Sequence, residues 1–439
     1  MKTKQEIRRN ILALVREYHE ADRASKSGFT PGEDWVRYAG RHFDHDELQK
    51  LIDSSLDFWL TAGRYAEEFE LGLADYLDTE AAILVNSGSS ANLVAMTALT
   101  SPKLLDRRVR PGDEVITVAA GFPTTVNPII QNRAIPVFVD VELGTYVPKI
   151  EKIEAAVSSR TRAVMIAHAM GVPYEVGELK EFCKQKGLWL IEDNCDALGS
   201  RYDGRLTGTF GDLGTFSFYP AHHITLGEGG AVATGNEELA RIARSIRDWG
   251  RDCYCSGGEN NTCGKRFSQQ FGSLPHGYDH KYVYSHIGYN LKVTDMQAAI
   301  GVAQLAKLDS FIEARKHNHR TLGEALARHS DKLILHVAPR KADPSWFGYV
   351  ITVRPDAGFT RAEIVGELEN AKIETRNLFC GNVLRHPAYE GVEHRVAGGL
   401  ANTDVITSGT FFIGIYPGIT PAMMEHVIGV FDRFFDRKG

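Results

Sequence analysis

The sequence predicts an α/β protein: a mostly parallel central sheet flanked by helices, followed by a smaller α+β C-terminal domain. Between about residues 64 and 240, short apolar runs alternate with helical patterns. Runs that are apolar at every position belong to strands buried on both faces, the arrangement of a parallel sheet covered by helices. Beyond residue 320 the pattern changes to a strand run, 349–355, followed by a helical stretch, 361–371. Of 439 residues, 43% are hydrophobic and 24% charged, enough to fill a core of useful size.

The elements follow in order. Residues 5–23 read as a helix, with Ile7, Ile11, Leu14, Val15 and Tyr18 at helical spacing. Residues 24–46 are polar and irregular, an arm or connector. Strand runs follow at 81–85, 113–119, 135–141, 162–169, 188–193, 214–219 and 229–234. Residues 251–286, rich in Gly, Asn, Ser, His and Tyr, break the alternation as a long insertion. Thr294 can cap a helix ahead of Asp295 and Met296, which is expected to run to about residue 316. The chain divides into an N-terminal helix and arm (1–60), a large domain (61–315) and a small domain (316–439).

Composition excludes several classes. A net charge of -6 argues against nucleic acid or an anionic membrane as the main partner. No apolar run reaches the roughly 18 residues needed to span a bilayer. The charged N-terminus lacks a signal-peptide core, so a cytoplasmic location is expected. Six cysteines are too few for a disulfide scaffold. Clustered cysteines in a reducing compartment point instead to metal binding or redox work.

Three motifs carry chemistry. Asn86-Ser-Gly-Ser-Ser-Ala-Asn92 follows a strand run and opens a helix. It reads either as a phosphate cradle at a helix N-terminus or as a plain helix cap. Ile191-Glu-Asp-Asn-Cys-Asp196 ends another strand, at the sheet edge where ligands of open α/β sheets bind. Its acid could pair with a protonated ring nitrogen or simply cap a helix. Ser217-Phe-Tyr-Pro-Ala-His-His223 leads into a Gly-Glu-Gly-Gly turn.

Together, and with Gly-Tyr-Asn290, these motifs resemble the nucleotide-sugar aminotransferase family from about residue 50 to the C-terminus. The resemblance implies the fold type I architecture of enzymes that use pyridoxal phosphate. It implies that Gly88 and Ser89 form the phosphate turn, that Phe122 stacks on the cofactor ring and that Asp193 pairs with the pyridine nitrogen. Ser217 matches a phosphate-binding hydroxyl. Asn290 matches a residue lent by a neighbouring subunit, which implies a homodimer with shared active sites. Asp196 stands near the ring hydroxyl, where many relatives have Gln.

Two departures from that family define the expected chemistry. His222 occupies the position of the lysine that holds the cofactor in aminotransferases, and imidazole cannot form that Schiff base. Pyridoxamine 5'-phosphate, bound non-covalently, is therefore the expected form, with His222 moving the proton. A drifted, inactive lysine site is the alternative reading. The second departure is Cys195, Cys253, Cys255 and Cys263, with 57, one and seven residues between successive cysteines. Four thiolates can hold a [2Fe-2S] cluster or zinc, and the single-residue gap counts against zinc.

This spacing, with His222, resembles the iron–sulfur branch of the family, the CDP-4-keto-6-deoxy-D-glucose 3-dehydrases of 3,6-dideoxyhexose synthesis. The resemblance implies C3 dehydration of a nucleotide sugar and an NADH-dependent flavin/iron–sulfur reductase that docks near 251–286. Two rivals remain: a 3-dehydratase with a structural zinc site, and a non-catalytic sugar-binding protein. Cys183 reads as a buried hydrophobe. Cys380, Arg376, Asn382, Arg385 and His386 form a polar group in the small domain, either near the substrate or an exposed loop.

Overall fold

The computed structural model describes residues 1–25, 28–255, 260–262 and 264–438. Its strands are β1 (Ala81–Val85), β2 (Glu114–Val118), β3 (Ile135–Val139), β4 (Thr161–Ala167), β5 (Trp189–Asp193), β6 (Arg201–Tyr202), β7 (Arg205–Leu206), β8 (Leu213–Ser217), β9 (Gly230–Thr234), β10 (Leu333–Leu335), β11 (Ala342–Asp343), β12 (Tyr349–Val353), β13 (Thr375–Asn377), β14 (Arg395–Val396) and β15 (Thr410–Ile413). The main sheet has the order β1-β9-β8-β5-β4-β2-β3-β14. Within it β9 alone runs against its neighbours, β1 and β8; the remaining pairs are parallel. The expected mostly parallel sheet is therefore present. A second sheet, β10-β12-β15-β13, is antiparallel, and β11, β6 and β7 form a small third one.

The unbroken apolar runs have a direct cause. Side chains alternate across a strand, and both faces of this sheet are covered. Ile83 and Val85 of β1 join the helices 88–98 and 237–247 on one side. Ala82 and Leu84 join Phe69, Leu73 and Ala298 on the other. A third cluster holds Ile116, Val164 and Leu190 of the main sheet together with Val350, Phe411 and Phe431, so the large sheet and the C-terminal part share one core.

The helix at Thr294 starts as expected, with a capping box between Thr294 and Gln297. It stops at Leu305, however, and a second helix runs from Leu308 to Leu326. At the break, Lys307 reaches Asp44 at 2.6 Å and Glu47 at 2.8 Å. That ion-pair cluster ties the N-terminal arm to the turn. The spacing of apolar residues does not encode the charge that anchors this turn, so the expected single helix is two.

Distant segments close the edges. Val36 donates its N–H to Lys372 and accepts from Glu374. β14 adds a final parallel strand beside β3. Next to it, Arg395 donates to buried Glu114 at 2.7 Å; burial pushes that carboxyl up, but hydrogen bonds from Arg395 and Ser158 outweigh it, and the net direction is down.

Candidate active site

The sheet brings the ends of β1, β5 and β8 to one edge. Ser87 caps the helix Gly88–Ala98 by accepting from Ser90 N at 3.0 Å. First-turn amides such as those of Gly88 and Ser89 have no acceptor within a helix, and the helix dipole favours an anion there. Gly88 is required by packing. A Cβ at that position would stand 2.4 Å from Ser217 Cβ and 3.0 Å from Cys195 Sγ. Gly88, Ser217 and Cys195 therefore converge, with Ser217 the last residue of β8.

Asp193, buried at the end of β5, accepts three hydrogen bonds. Asn92 Nδ2 donates at 2.8 Å and Thr125 Oγ1 at 2.6 Å to one carboxylate oxygen, and Cys195 N donates at 3.1 Å to the other. Thr215 in turn donates to Asn92 at 2.6 Å. Asn92, Thr125 and Thr215 were not singled out from the sequence, although Asn92 lies in a motif that was. Phe122 ends the β2 loop at 51% exposure and meets Phe379 edge-on at 5.8 Å.

His222 lies in the turn after β8. Its Nδ1 is 3.7 Å from Asp196 Oδ1, too long for a hydrogen bond, and has no hydrogen-bond partner. Its ring packs against Phe347 at 5.2 Å. Burial, helped by the positive charge of Arg315, depresses its pKa to about 3, against a weaker backbone contact with Cys195. The imidazole is therefore neutral across the physiological range, the state in which it can accept a proton. Burial and the negative charge of Asp193 push Asp196 up to about 7. The same two causes, in the same order, push the Cys195 thiol well above its ordinary value. Arg315, which no sequence signal marked, is buried beneath this group.

The residues present fit a pyridoxal-type cofactor: a tight glycine–serine turn for a phosphate, a buried acid fixed by three donors, an exposed aromatic, and a half-buried histidine with a buried, orphaned ring nitrogen. Asn290 is exposed in the single chain, with its Oδ1 taken by Lys292. The adjacent Leu291 accepts from Asn86 N at 2.8 Å, beside the phosphate turn.

The cysteines are only partly assembled. Cys253 and Cys255 lie together against a small cavity that Arg266 and His280 also line. Burial pushes the Cys255 thiol up, but hydrogen bonding with Thr262 and Cys253 outweighs it, and the net direction is down. Cys195 belongs instead to the Gly88–Ser217 cluster. Among the described residues, no group of three ligand atoms within 4.8 Å of one another includes a thiol. Cys263 lies outside the described residues. Cys183 is buried in the main core, as expected.

The small-domain candidates all have protein partners. Arg376 pairs with Glu374, Arg385 with Asp404, Asn382 with Asp404, and His386 with Cys380 O. Their loop docks on the Phe122 loop, with Val383 N donating to Ala119 O and Cys380 Sγ to Gly121 O. Among the described residues, no helix is long and apolar enough to cross a membrane.

Known proteins resemble this chain in sequence and fold. A dTDP-4-dehydro-2,6-dideoxy-D-glucose 3-dehydratase of Saccharopolyspora spinosa is 54% identical over 418 residues, covering 95% of this chain and 90% of its own. The lipopolysaccharide biosynthesis protein RfbH of Salmonella typhimurium is 53% identical, covering 99% of each chain. Among solved structures, the GDP-4-keto-6-deoxymannose-3-dehydratase ColD with bound GDP-perosamine superposes with a TM-score of 0.81 at 27% identity, covering 90% of this chain and 99% of that one. DesV of S. venezuelae, in complex with a ketimine intermediate, gives 0.76 at 25% identity, covering 96% of each. The architecture is thus that of the pyridoxal-phosphate-dependent aminotransferases. Residues 41–432 match the DegT/DnrJ/EryC1/StrS aminotransferase family, and the chain belongs to that family.

Proposed function

We propose that this chain is a nucleotide-sugar C3 dehydrase that uses pyridoxamine 5'-phosphate and His222. The observation that carries the reading is His222 itself: a half-buried, neutral imidazole with a buried, orphaned ring nitrogen, linked through Cys195 to the Gly88–Ser217 cradle. Relatives named as sugar 3-dehydratases support it.

When bound, the cofactor supplies an amine that condenses with the sugar ketone and a ring that accepts electrons. Gly88, Ser89 and Ser217 would hold its phosphate, Phe122 would pack against its ring, and Asp193 would keep the proton on the ring nitrogen. His222 accepts a proton from carbon and returns it to the departing C3 hydroxyl, which leaves as water. Asp196, pushed up to about 7 by burial and Asp193, faces the imidazole at 3.7 Å. Cys195, Cys253, Cys255 and Cys263 are the proposed ligands of a [2Fe-2S] cluster, and the lowered Cys255 thiol suits a thiolate ligand. A cluster held there would supply one-electron transfer, drawn from an NADH-dependent reductase. The proposed assembly is a homodimer, with Asn290 reaching the partner's phosphate turn.

The proposed substrate is CDP-4-keto-6-deoxy-D-glucose, in 3,6-dideoxyhexose synthesis. Relatives named for dTDP and GDP sugars make dTDP- and GDP-4-keto-6-deoxyhexoses the comparison substrates. Anaerobic purification with iron and sulfide assay, then incubation with pyridoxamine phosphate and each sugar, tests the reading. About two irons and two sulfides per chain, with water loss from the CDP sugar, support it. Zinc instead of iron, with water loss retained, leaves a 3-dehydratase with a structural metal. No turnover of any keto sugar refutes the enzymatic reading.

A further inference from the structure

We infer that Arg315 is a positioning residue for His222: its buried guanidinium closes a ring of contacts that runs from His222 through the 346–347 turn and back to Asp196. This inference rests on the reading of His222 as the proton-moving group.

The ring is read link by link. Arg315 Nη2 donates to His222 O at 3.1 Å. Nη1 donates to Phe347 O at 2.8 Å and Trp346 O at 3.3 Å. Phe347 N donates to Met170 O at 2.9 Å. Met170 N donates to Asp196 Oδ2 at 3.2 Å. Asp196 Oδ1 then faces His222 Nδ1 at 3.7 Å. The Phe347 ring also touches the imidazole, so Arg315 grips both the backbone of His222 and the backbone of the residue its ring rests on.

Two further observations mark the ring as held under constraint. Met170 (φ 55°) and Trp346 (φ 53°) both take the left-handed conformation that side chains disfavour. Such residues persist where the surroundings over-determine them, and they cluster at functional sites. A Cβ on Gly171 would stand 2.7 Å from Trp346 N, so the two backbones meet with no room to spare. Arg315 itself is 2% exposed. Burying a cation is expensive, and a neutral side chain would fill the space at lower cost. What a neutral residue or a lysine lacks is the planar fork that reaches carbonyls from two segments at once.

The test uses the full chain with R315M and R315K. Hydrogen–deuterium exchange is read on peptides covering 219–226 and 344–350, with and without pyridoxamine phosphate. Turnover of the keto sugar is read in the loaded enzyme. Exchange in both peptides is expected to rise severalfold in R315M while other peptides stay unchanged. Misplacing a catalytic group by about 1 Å costs roughly 10²-fold, so kcat falls by about that factor. KM and cofactor affinity stay within about threefold, since those contacts lie elsewhere. R315K is expected to lie between R315M and wild type in both readouts. The inference is overturned if R315K matches wild type in exchange and kcat, which decides the matter even where R315M does not fold. It is also overturned if R315M folds and raises KM with kcat unchanged. H222N separates the two readings: turnover retained in H222N removes the role of His222, whereas the exchange data judge the tether by itself.

Discussion

Replacing His319 by phenylalanine should make the protein more resistant to acid. His319 is 9% exposed, stacks on Trp346 at 3.5 Å and 11°, and has an Nε2 with no partner. Burial alone lowers its pKa from 6.5 to about 3. The folded state therefore holds a neutral ring, while the unfolded chain takes up a proton below pH 6.5. Stability that is fully present above that value is lost as pH falls towards 3, at about 1.4 kcal/mol per pH unit. Between pH 7.5 and pH 5.0 His319 costs the wild type about 2 kcal/mol. Phenylalanine keeps the stack on Trp346 and cannot protonate, so H319F escapes that cost. Denaturation midpoints of the cofactor-free protein at the two pH values provide the assay. The gap in unfolding free energy between H319F and wild type should shift in favour of the variant by about 2 kcal/mol on acidification. A gap that is the same at both pH values would refute the reasoning, whatever the absolute stabilities.

H222N should lower the rate of sugar dehydration by about 10²- to 10⁴-fold, the usual contribution of a general base, while cofactor binding measured by absorbance titration is unchanged. H222K should form a covalent imine with pyridoxal phosphate, seen as a borohydride-reducible chromophore. G88A drives a Cβ into Ser217 and Cys195. Overpacking of that kind costs about 1–3 kcal/mol, so pyridoxamine phosphate should bind roughly 10- to 100-fold more weakly by titration. C255S should halve the bound iron or worse, without changing the affinity for pyridoxamine phosphate.

The large sheet was legible because its strands are buried on both faces, and Ala81–Val85 or Trp189–Asp193 carry that burial as unbroken apolar runs. Gly88, Asp193, Ser217 and His222 were legible because each sits at a strand end or in the turn just after one, where short motifs survive as contiguous residues. Arg315 was not, because its partners lie 93, 31 and 32 residues away in sequence and no local pattern encodes them. The break at 306–307 was missed for the same reason: its cause is Lys307 meeting Asp44 and Glu47 from the other end of the chain. The Cys253–Cys255 pair was visible as spacing, but Cys195 was placed by β5 and not by the insertion.

The two-residue strand β14 has a consequence for how the protein is made. Synthesis runs from the N-terminus, so β3 emerges more than 250 residues before Arg395 and Val396 exist to pair with it. Until then the outer edge of β3 offers free backbone donors and acceptors, the template on which neighbouring nascent chains join. Glu114 waits equally long for its Arg395 partner. Chains stalled or truncated before residue 395 would thus carry an open sheet edge together with a buried acid that has Arg160 and Ser158 but lacks Arg395. Such fragments should be retained by chaperones or lost to aggregates, while the chain that reaches Val396 seals its own edge on release.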